Sequence, residues 1–196
     1  MFTGIVTDIG RVRGVRDTNR DRRFEIETAY DMAGVDLGAS ISHAGCCLTV
    51  VDKGEGWFAV EVSGETLGAS TLGDWRQGRR INLERAARAG DEMGGHIVSG
   101  HVDGVGEVVK VTPEGGSHRL QIRAPRPLHR YIAPKGSISV EGVSLTVNQV
   151  EADIFGVNII PHTWEATPLG ALHPGDRDNL ELDMLARYLA RWQETA

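Results

Sequence analysis

The chain has 196 residues, 40% of them hydrophobic and 24% charged, with a net charge of −6. These proportions are ordinary for a soluble globular protein of one large or two small domains, and the acidic balance argues against nucleic acid as the main partner. The apolar runs are too short to span a bilayer and the opening MFTGIVTDIG lacks the basic-then-apolar layout of a secretory leader, so no membrane partner is expected.

In chain order, apolar and polar residues alternate in RFEIETA (23–29), WFAVEV (57–62), GVGEVVKV (104–111), RLQIRA (119–124) and FGVNII (155–160). That period of two predicts strands of a half-buried sheet. Between them DKGEG, NLERAARAGDEMGG, PEGG and HPGD read as turns. Short strands at this spacing predict an all-β barrel or sandwich. The last segment, DMLARYLARW, differs: Met184 or Leu185, Tyr188 or Leu189, and Trp192 recur at helical spacing, with Arg187 and Arg191 off that stripe. It predicts a terminal amphipathic helix whose apolar face docks on its own domain or on copies of the chain. Cys46 and Cys47 are neighbours, and neighbouring cysteines rarely bridge, so a reduced, cytoplasmic chain is expected.

The sequence repeats itself. FTGIVTDIGRV (2–12) aligns with VSGHVDGVGEV (98–108), matching Gly4 to Gly100, Val6 to Val102 and Gly10 to Gly106. ASISHAGCCLTV (39–50) aligns with GSISVEGVSLTV (136–147), GETLGASTLG (64–73) with PHTWEATPLG (161–170), and GRRINLE (78–84) with GDRDNLE (175–181). Blocks in one order at nearly one spacing, 96 for the first and 97 for the later ones, predict a duplicated barrel, whose second copy starts in GGHIVSGHVDG (94–104). The two histidines there, His96 and His101, are five residues apart, which suits one face of neither a strand nor a helix, and no thiolate or carboxylate is spaced to join them, so no metal is expected.

The copies differ where polar chemistry is possible. Ile5 stands opposite His101, and Cys47 opposite Ser144. Drift after duplication is the plain explanation, but potent residue types beside the best-matched motifs predict two related pockets with different duties. Strand alternation turns Leu48 and Val50 to the core and Cys47 and Thr49 to the other face, as it does Ser144 and Thr146. Small hydrogen-bonding side chains beside a glycine can hold a flat polar heterocycle edge-on.

MFTGIV, GCCLTV, GGHIVSGHVDG and KGSISVEGVSLTVN, in that order, resemble the riboflavin synthase α-chain, a lumazine-binding duplicated β-barrel family, along essentially the whole chain. The resemblance implies an all-β fold of two similar six-stranded antiparallel Greek-key barrels, 1–96 and 97–182, followed by a trimerisation helix, 183–196. It implies a transferase of riboflavin biosynthesis that dismutates two molecules of 6,7-dimethyl-8-ribityllumazine. A four-carbon unit passes from one to the other, giving riboflavin and 5-amino-6-ribitylamino-uracil, with no cofactor. The expected ligands are the lumazine and riboflavin, the expected assembly is a homotrimer, and some relatives associate with lumazine synthase. The working site is expected between the N-terminal barrel of one chain and the C-terminal barrel of its neighbour.

Carried over by motif, the first pocket uses Gly4, Ile5, Val6, Ser40, Cys47, Leu48, Thr49 and a turn of Glu61, Val62, Ser63, Gly64, Glu65 and Thr66. The second uses Gly100, His101, Val102, Lys135, Ser144, Leu145, Thr146 and a turn of Asn158, Ile159, Ile160, Pro161, His162 and Thr163. The reaction moves protons, so His101 is the expected shuttle in the second pocket. Cys47 and Ser40 are candidates for nucleophile or relay in the first, with Ser144 and Thr146 as further catalytic candidates and Asp183 steering the interface. The chain departs from the family pattern at Gly68, where a basic residue is common, and at Trp164 and Ala166. Two rivals are a non-catalytic antenna that binds one chromophore in the same fold, and a flavin-carrying reductase, which needs a nucleotide-binding domain for which the chain has no room.

Overall fold

The computed structural model describes residues 1–195, which form two closed six-stranded antiparallel barrels and a C-terminal helix. The first barrel consists of β1 (Asp8–Thr18), β2 (Asp21–Glu27), β3 (Ser40–His43), β4 (Cys46–Gly54), β5 (Trp57–Val62) and β6 (Arg80–Arg85). The second consists of β7 (Gly104–Glu114), β8 (Ser117–Arg123), β9 (Ser137–Val140), β10 (Val143–Glu151), β11 (Ile154–Ile159) and β12 (Arg177–Leu182). Around the first barrel the order is β1-β2-β5-β4-β3-β6, and the second repeats it as β7-β8-β11-β10-β9-β12. This is a Greek key, and closure leaves no exposed sheet edge.

The alternation reads directly into the cores. Val12, Phe24, Ile26, Ile41, Phe58, Val60 and Leu83 fill the first barrel, and Leu120, Ile122, Ile138, Phe155, Val157 and Leu180 the second. Burying each such side chain is worth about 1.5–3 kcal/mol. Gly10 and Gly106 sit where a Cβ would come within 3 Å of the core leucines Leu83 and Leu180. Register shifts fall at matching places, after Val12 and Val108 and after Val50 and Val147, so the bulges that bend the strands were duplicated too.

Two readings of the sequence need correction. NLERAARAGDEMGG is not all turn, because Asn82 to Arg85 complete β6. The strand was hidden because Asn82 and Glu84 are buried polar residues on the face opposite Leu83, which erases the alternation. Nor are the segments 61–66 and 158–163 turns. Each is a strand end running into a short helix, α1 (Gly64–Ala69) after Ser63 and, beyond α2 (Arg126–His129), α3 (Pro161–Ala166) after Ile160. Ser63 caps α1 by accepting from the Thr66 N–H, whereas Pro161 opens α3 with no side-chain cap.

The barrels meet along a pseudo-two-fold seam. Gly45 and Gly142, both with positive φ, approach so closely that a Cβ on Gly142 would lie 2.8 Å from the Gly45 nitrogen. Asn82 Nδ2 donates to the Glu141 carbonyl and Asn179 Nδ2 to the Ala44 carbonyl, at 2.8 and 2.9 Å. The symmetry breaks where Thr71 N–H donates to Asn179 Oδ1. The counterpart of Thr71 is Pro168, which has no N–H to give, and Asn82 Oδ1 has no partner among the described residues.

The last element, α4 (Met184–Thr195), is tied to the second barrel by Arg187, whose guanidinium meets Asp103 at 3.0 Å. Its apolar stripe faces outward, with Leu185 72% and Trp192 67% exposed, and Tyr188 and Leu189 beside them. The stripe therefore does not dock on its own barrel.

Candidate active site

The polar faces of β4 and β10 are the places where the sequence and the fold converge. On β4 Leu48 and Val50 are buried, Cys47 is half-buried and Thr49 exposed. On β10 Val147 is buried, Ser144 half-buried and Thr146 exposed. Register sets Ser40 directly across from Thr49, and Ser137 across from Thr146, so each barrel presents a patch of small hydroxyl and thiol groups on one face.

What covers each patch is a segment from the other copy. The Cys47 N–H donates to the Gly100 carbonyl, and the Ser144 N–H to the Gly4 carbonyl, both at 2.8 Å. Val102 packs on the first barrel's core and Val6 on the second's. The two crossing segments also pair with each other, Phe2 with Val98, through bonds of 2.7 and 3.0 Å. Only glycine permits this approach. Gly4 and Gly100 have φ of +76° and +82°, and a Cβ would lie 2.6 Å from the Ser144 Cβ and 2.5 Å from the Cys47 Cβ respectively.

This crossing corrects the pairing expected from the motifs. Gly4, Ile5 and Val6 do not join Cys47, Leu48 and Thr49. They lie against the second barrel beside Ser144, Leu145 and Thr146, while Gly100, His101 and Val102 lie against the first. Sequence blocks that belong to one copy were assigned to one pocket, and nothing in a linear alignment signals that the strand-leading segments exchange. His101 thus lies in the segment whose Gly100 carbonyl takes the Cys47 N–H, on the first barrel rather than against Ser144.

The rest of each patch follows its own barrel. Glu61, Val62, Ser63, Gly64, Glu65 and Thr66 stay with the first, all but Val62 and Thr66 exposed. Asn158, Ile159, Ile160, Pro161, His162 and Thr163 stay with the second, where Trp164 stacks on His118 at 3.8 Å between ring centres. Lys135 donates its N–H to the Val147 carbonyl next to Thr146 and holds φ at +66°. Its counterpart is Gly38 at +87°. A lysine at positive φ where the first copy has glycine carries a conformational cost.

The two patches differ in how their polar groups are engaged. His101, in the segment that crosses to the first patch, is exposed. In the second, the Ser144 hydroxyl meets His96 Nδ1 at 2.6 Å, while His96 Nε2 is buried without a partner among the described residues. Burial lowers the His96 pKa, opposed by the charge of Asp183, which sits just before α4. His96 thus returns as a polar contact of the second patch, a role that its spacing from His101 did not suggest. Glu84 and Glu181 were missed altogether. Each buried carboxylate accepts backbone N–H groups of a crossing segment. The conserved spacing within GRRINLE and GDRDNLE was the available signal.

Comparison with known proteins matches the description of a lumazine binding domain twice, over residues 3–86 and 99–183. Riboflavin synthase from Brucella abortus is 50% identical over 196 residues, covering 97% of each chain. The chain belongs to the riboflavin synthase family. The Mycobacterium tuberculosis member is 44% identical with full coverage of both chains, and the Bacillus subtilis member 35%, covering all of this chain and 91% of its own. Among solved structures, LumP complexed with riboflavin superposes with a TM-score of 0.86 at 26% identity, covering 93% of this chain and 99% of that one. LumP complexed with 6,7-dimethyl-8-(1'-D-ribityl) lumazine gives 0.84 at 25%, covering 92% and 98%. Both copies of the family's domain are thus present here, each carrying one of the two patches.

Proposed function

We propose that the chain is a riboflavin synthase that dismutates two molecules of 6,7-dimethyl-8-ribityllumazine into riboflavin and 5-amino-6-ribitylamino-uracil. The observation that carries this is a pair of equivalent patches, each walled by a glycine segment of the other copy, in a chain 35–50% identical to riboflavin synthases over nearly its whole length. A reaction between two copies of one molecule calls for two similar binding surfaces that treat their occupants differently, and the patches meet both demands.

The residues divide the work as follows. Backbone groups of 4–6 and 100–102, with the hydroxyls of Ser40, Thr49, Ser144 and Thr146, read the pyrimidine edge and hold the ribityl chain. One lumazine gives up a proton from its methyl group at ring position seven, and the other accepts a nucleophile. The exposed His101 imidazole, beside Cys47 and Ser40, is the group suited to carry those protons. On the second patch Ser144 is held by His96 and Lys135 offers a positive charge. Stacking two lumazines in register supplies a further part of the rate, since orientation is worth roughly 7–11 kcal/mol of a barrier.

For two lumazines to meet, the first barrel of one chain must face the second barrel of another. The outward stripe of α4 supports a homotrimer that brings them together. Both thiols are free, which fits a cytoplasmic enzyme. The similarity to LumP raises the antenna reading, but identity to the synthases is higher and both patches keep their crossing glycine and small polar groups. The experiment is His101→Gln: turnover is expected to fall about 10²–10⁴-fold, the range for a lost general acid–base, with riboflavin binding kept within a few-fold. Equal losses of binding and turnover would remove His101 from the proton transfer.

A further inference from the structure

Glu84, near the end of β6, and Glu181, at the same place in β12, grip the crossing segments but touch neither patch's small polar groups. Each is almost wholly buried, 5% and 3% exposed. Glu84 Oε1 accepts from the Thr3 N–H and hydroxyl, both at 2.7 Å, and its Oε2 accepts from the Gly4 N–H at 3.0 Å. Glu181 Oε1 accepts from the Ser99 N–H at 2.6 Å, and its Oε2 from the Gly100 and His101 N–H groups, both at 2.9 Å. Burial pushes both carboxyls up, and the N–H groups oppose it. A carboxylate at this depth is tolerable only because charge-assisted bonds replace its water.

These bonds lead somewhere. Glu181 is rooted in the second barrel, but the segment it grips crosses to the first. There the Gly100 carbonyl takes the Cys47 N–H at 2.8 Å, and the missing Cβ of Gly100 lets the backbone rest on the Cys47 side chain. His101 is exposed, and the hydrogen bonds that anchor it are made by its backbone. That backbone is held by Glu181 at the N–H and by Arg187 at the carbonyl, 3.3 Å away. Glu84 repeats the pattern in reverse: rooted in the first barrel, it grips Thr3 and Gly4, whose carbonyl takes the Ser144 N–H.

We propose that Glu181 is a positioning residue for the first-barrel site, acting through Ser99, Gly100 and His101 on Cys47, and that Glu84 does the same for the second-barrel site through Thr3 and Gly4. Each barrel's glutamate orders the wall of the other barrel's site. The catalytic part of this rests on the reading of His101 and Cys47 as a lumazine site; the mechanical part does not.

The test uses Glu181→Gln and Glu84→Gln in the full-length protein, read in two ways. Glutamine keeps the size but turns an amide NH2 toward backbone N–H groups, so at least one of the three bonds is lost. Losing one bond to a charged acceptor corresponds to about tenfold or more. The first readout is the rate at which an aromatic disulfide reagent modifies Cys47, located by peptide mass mapping, since Cys46 is buried. Glu181→Gln should raise that rate about tenfold although the mutated residue lies in the other barrel, and Glu84→Gln should leave it at the wild-type value. The second readout is turnover: Glu181→Gln should lower kcat about tenfold or more with KM within about threefold. Should the glutamine variant fail to fold, Glu181→Asp keeps the charge with a shorter reach, and the same crossed effect on Cys47 is expected of it.

A Cys47 rate unchanged in Glu181 variants would overturn the proposal, and so would equal acceleration in the Glu84 variant, which would mean general loosening. Crossed acceleration in a protein that forms no riboflavin would leave the strap standing and sink the functional reading instead.

Discussion

At the scale of single residues, the glycines explain most. Gly4 and Gly100 combine positive φ with a gap too small for a methyl group, against Ser144 in one case and Cys47 in the other. Gly100→Ala therefore meets both a conformational penalty and a clash with backbone and side chain at β4. We expect a barrel that still folds, a loss of about 1–3 kcal/mol of stability, and turnover reduced at least as much as by His101→Gln. Thermal unfolding together with steady-state rates checks this; an alanine variant with wild-type turnover would show that the crossing segment is not part of the site. Repeated glycines and Ser/Thr pairs were legible in the sequence because their types recur at nearly one spacing, and Cys47 and His101 because they break that repeat. The straps were not. Glu84 and Glu181 look like surface residues of a strand until the crossing segment is seen to bury them.

At the scale of elements, strands with one wet face announced themselves by alternation: β2, β5, β7, β8 and β11 follow the predicted runs within a few residues. Strands whose second face lies in the seam did not. β6 and β12 are buried on both faces and carry Asn82, Glu84, Asn179 and Glu181 there, so a polar pattern hid a buried element. α1 and α3 are too short for helical periodicity to register. The terminal helix was legible in kind, and the structure adds its orientation. Leu185, Tyr188, Leu189 and Trp192 face away from the barrel that Arg187 grips. Replacing Leu185 and Leu189 together by glutamate should leave the barrels folded and convert the proposed trimer to monomers in analytical ultracentrifugation, with turnover lost in parallel. Trimers that persist in that variant would place the assembly surface elsewhere.

At the scale of the whole molecule, duplication gave two barrels but not two identical ones, and the seam shows it. Asp178 is fully buried where the first copy has Ile81, and neither of its carboxyl oxygens has a partner among the described residues. Glu141, at the position of Ala44, borders a cavity of about 460 Å³ at the seam, with Arg79 and Asp176 on its wall. Burial raises both carboxyls, Glu141 from 4.5 to about 7. Between those values the folded chain holds protons that the unfolded chain has released, so stability falls as pH rises from about 4.5 through about 7. Asp178→Ile removes one of these protons. The variant should exceed the wild type in stability by a margin that widens from pH 5 to pH 8, reaching about 1–3 kcal/mol. Denaturant unfolding across that range checks it, and a margin independent of pH would contradict it.

The central claim is that this duplicated barrel joins two copies of one molecule. Its most direct measurement is to incubate the purified protein with 6,7-dimethyl-8-ribityllumazine as the sole organic reactant, with a chelator present, and to quantify substrate and both products together. Two lumazines should be consumed for each riboflavin formed, with one 5-amino-6-ribitylamino-uracil released alongside. Tight binding of lumazine without any riboflavin would contradict it and leave the two patches as binding sites alone.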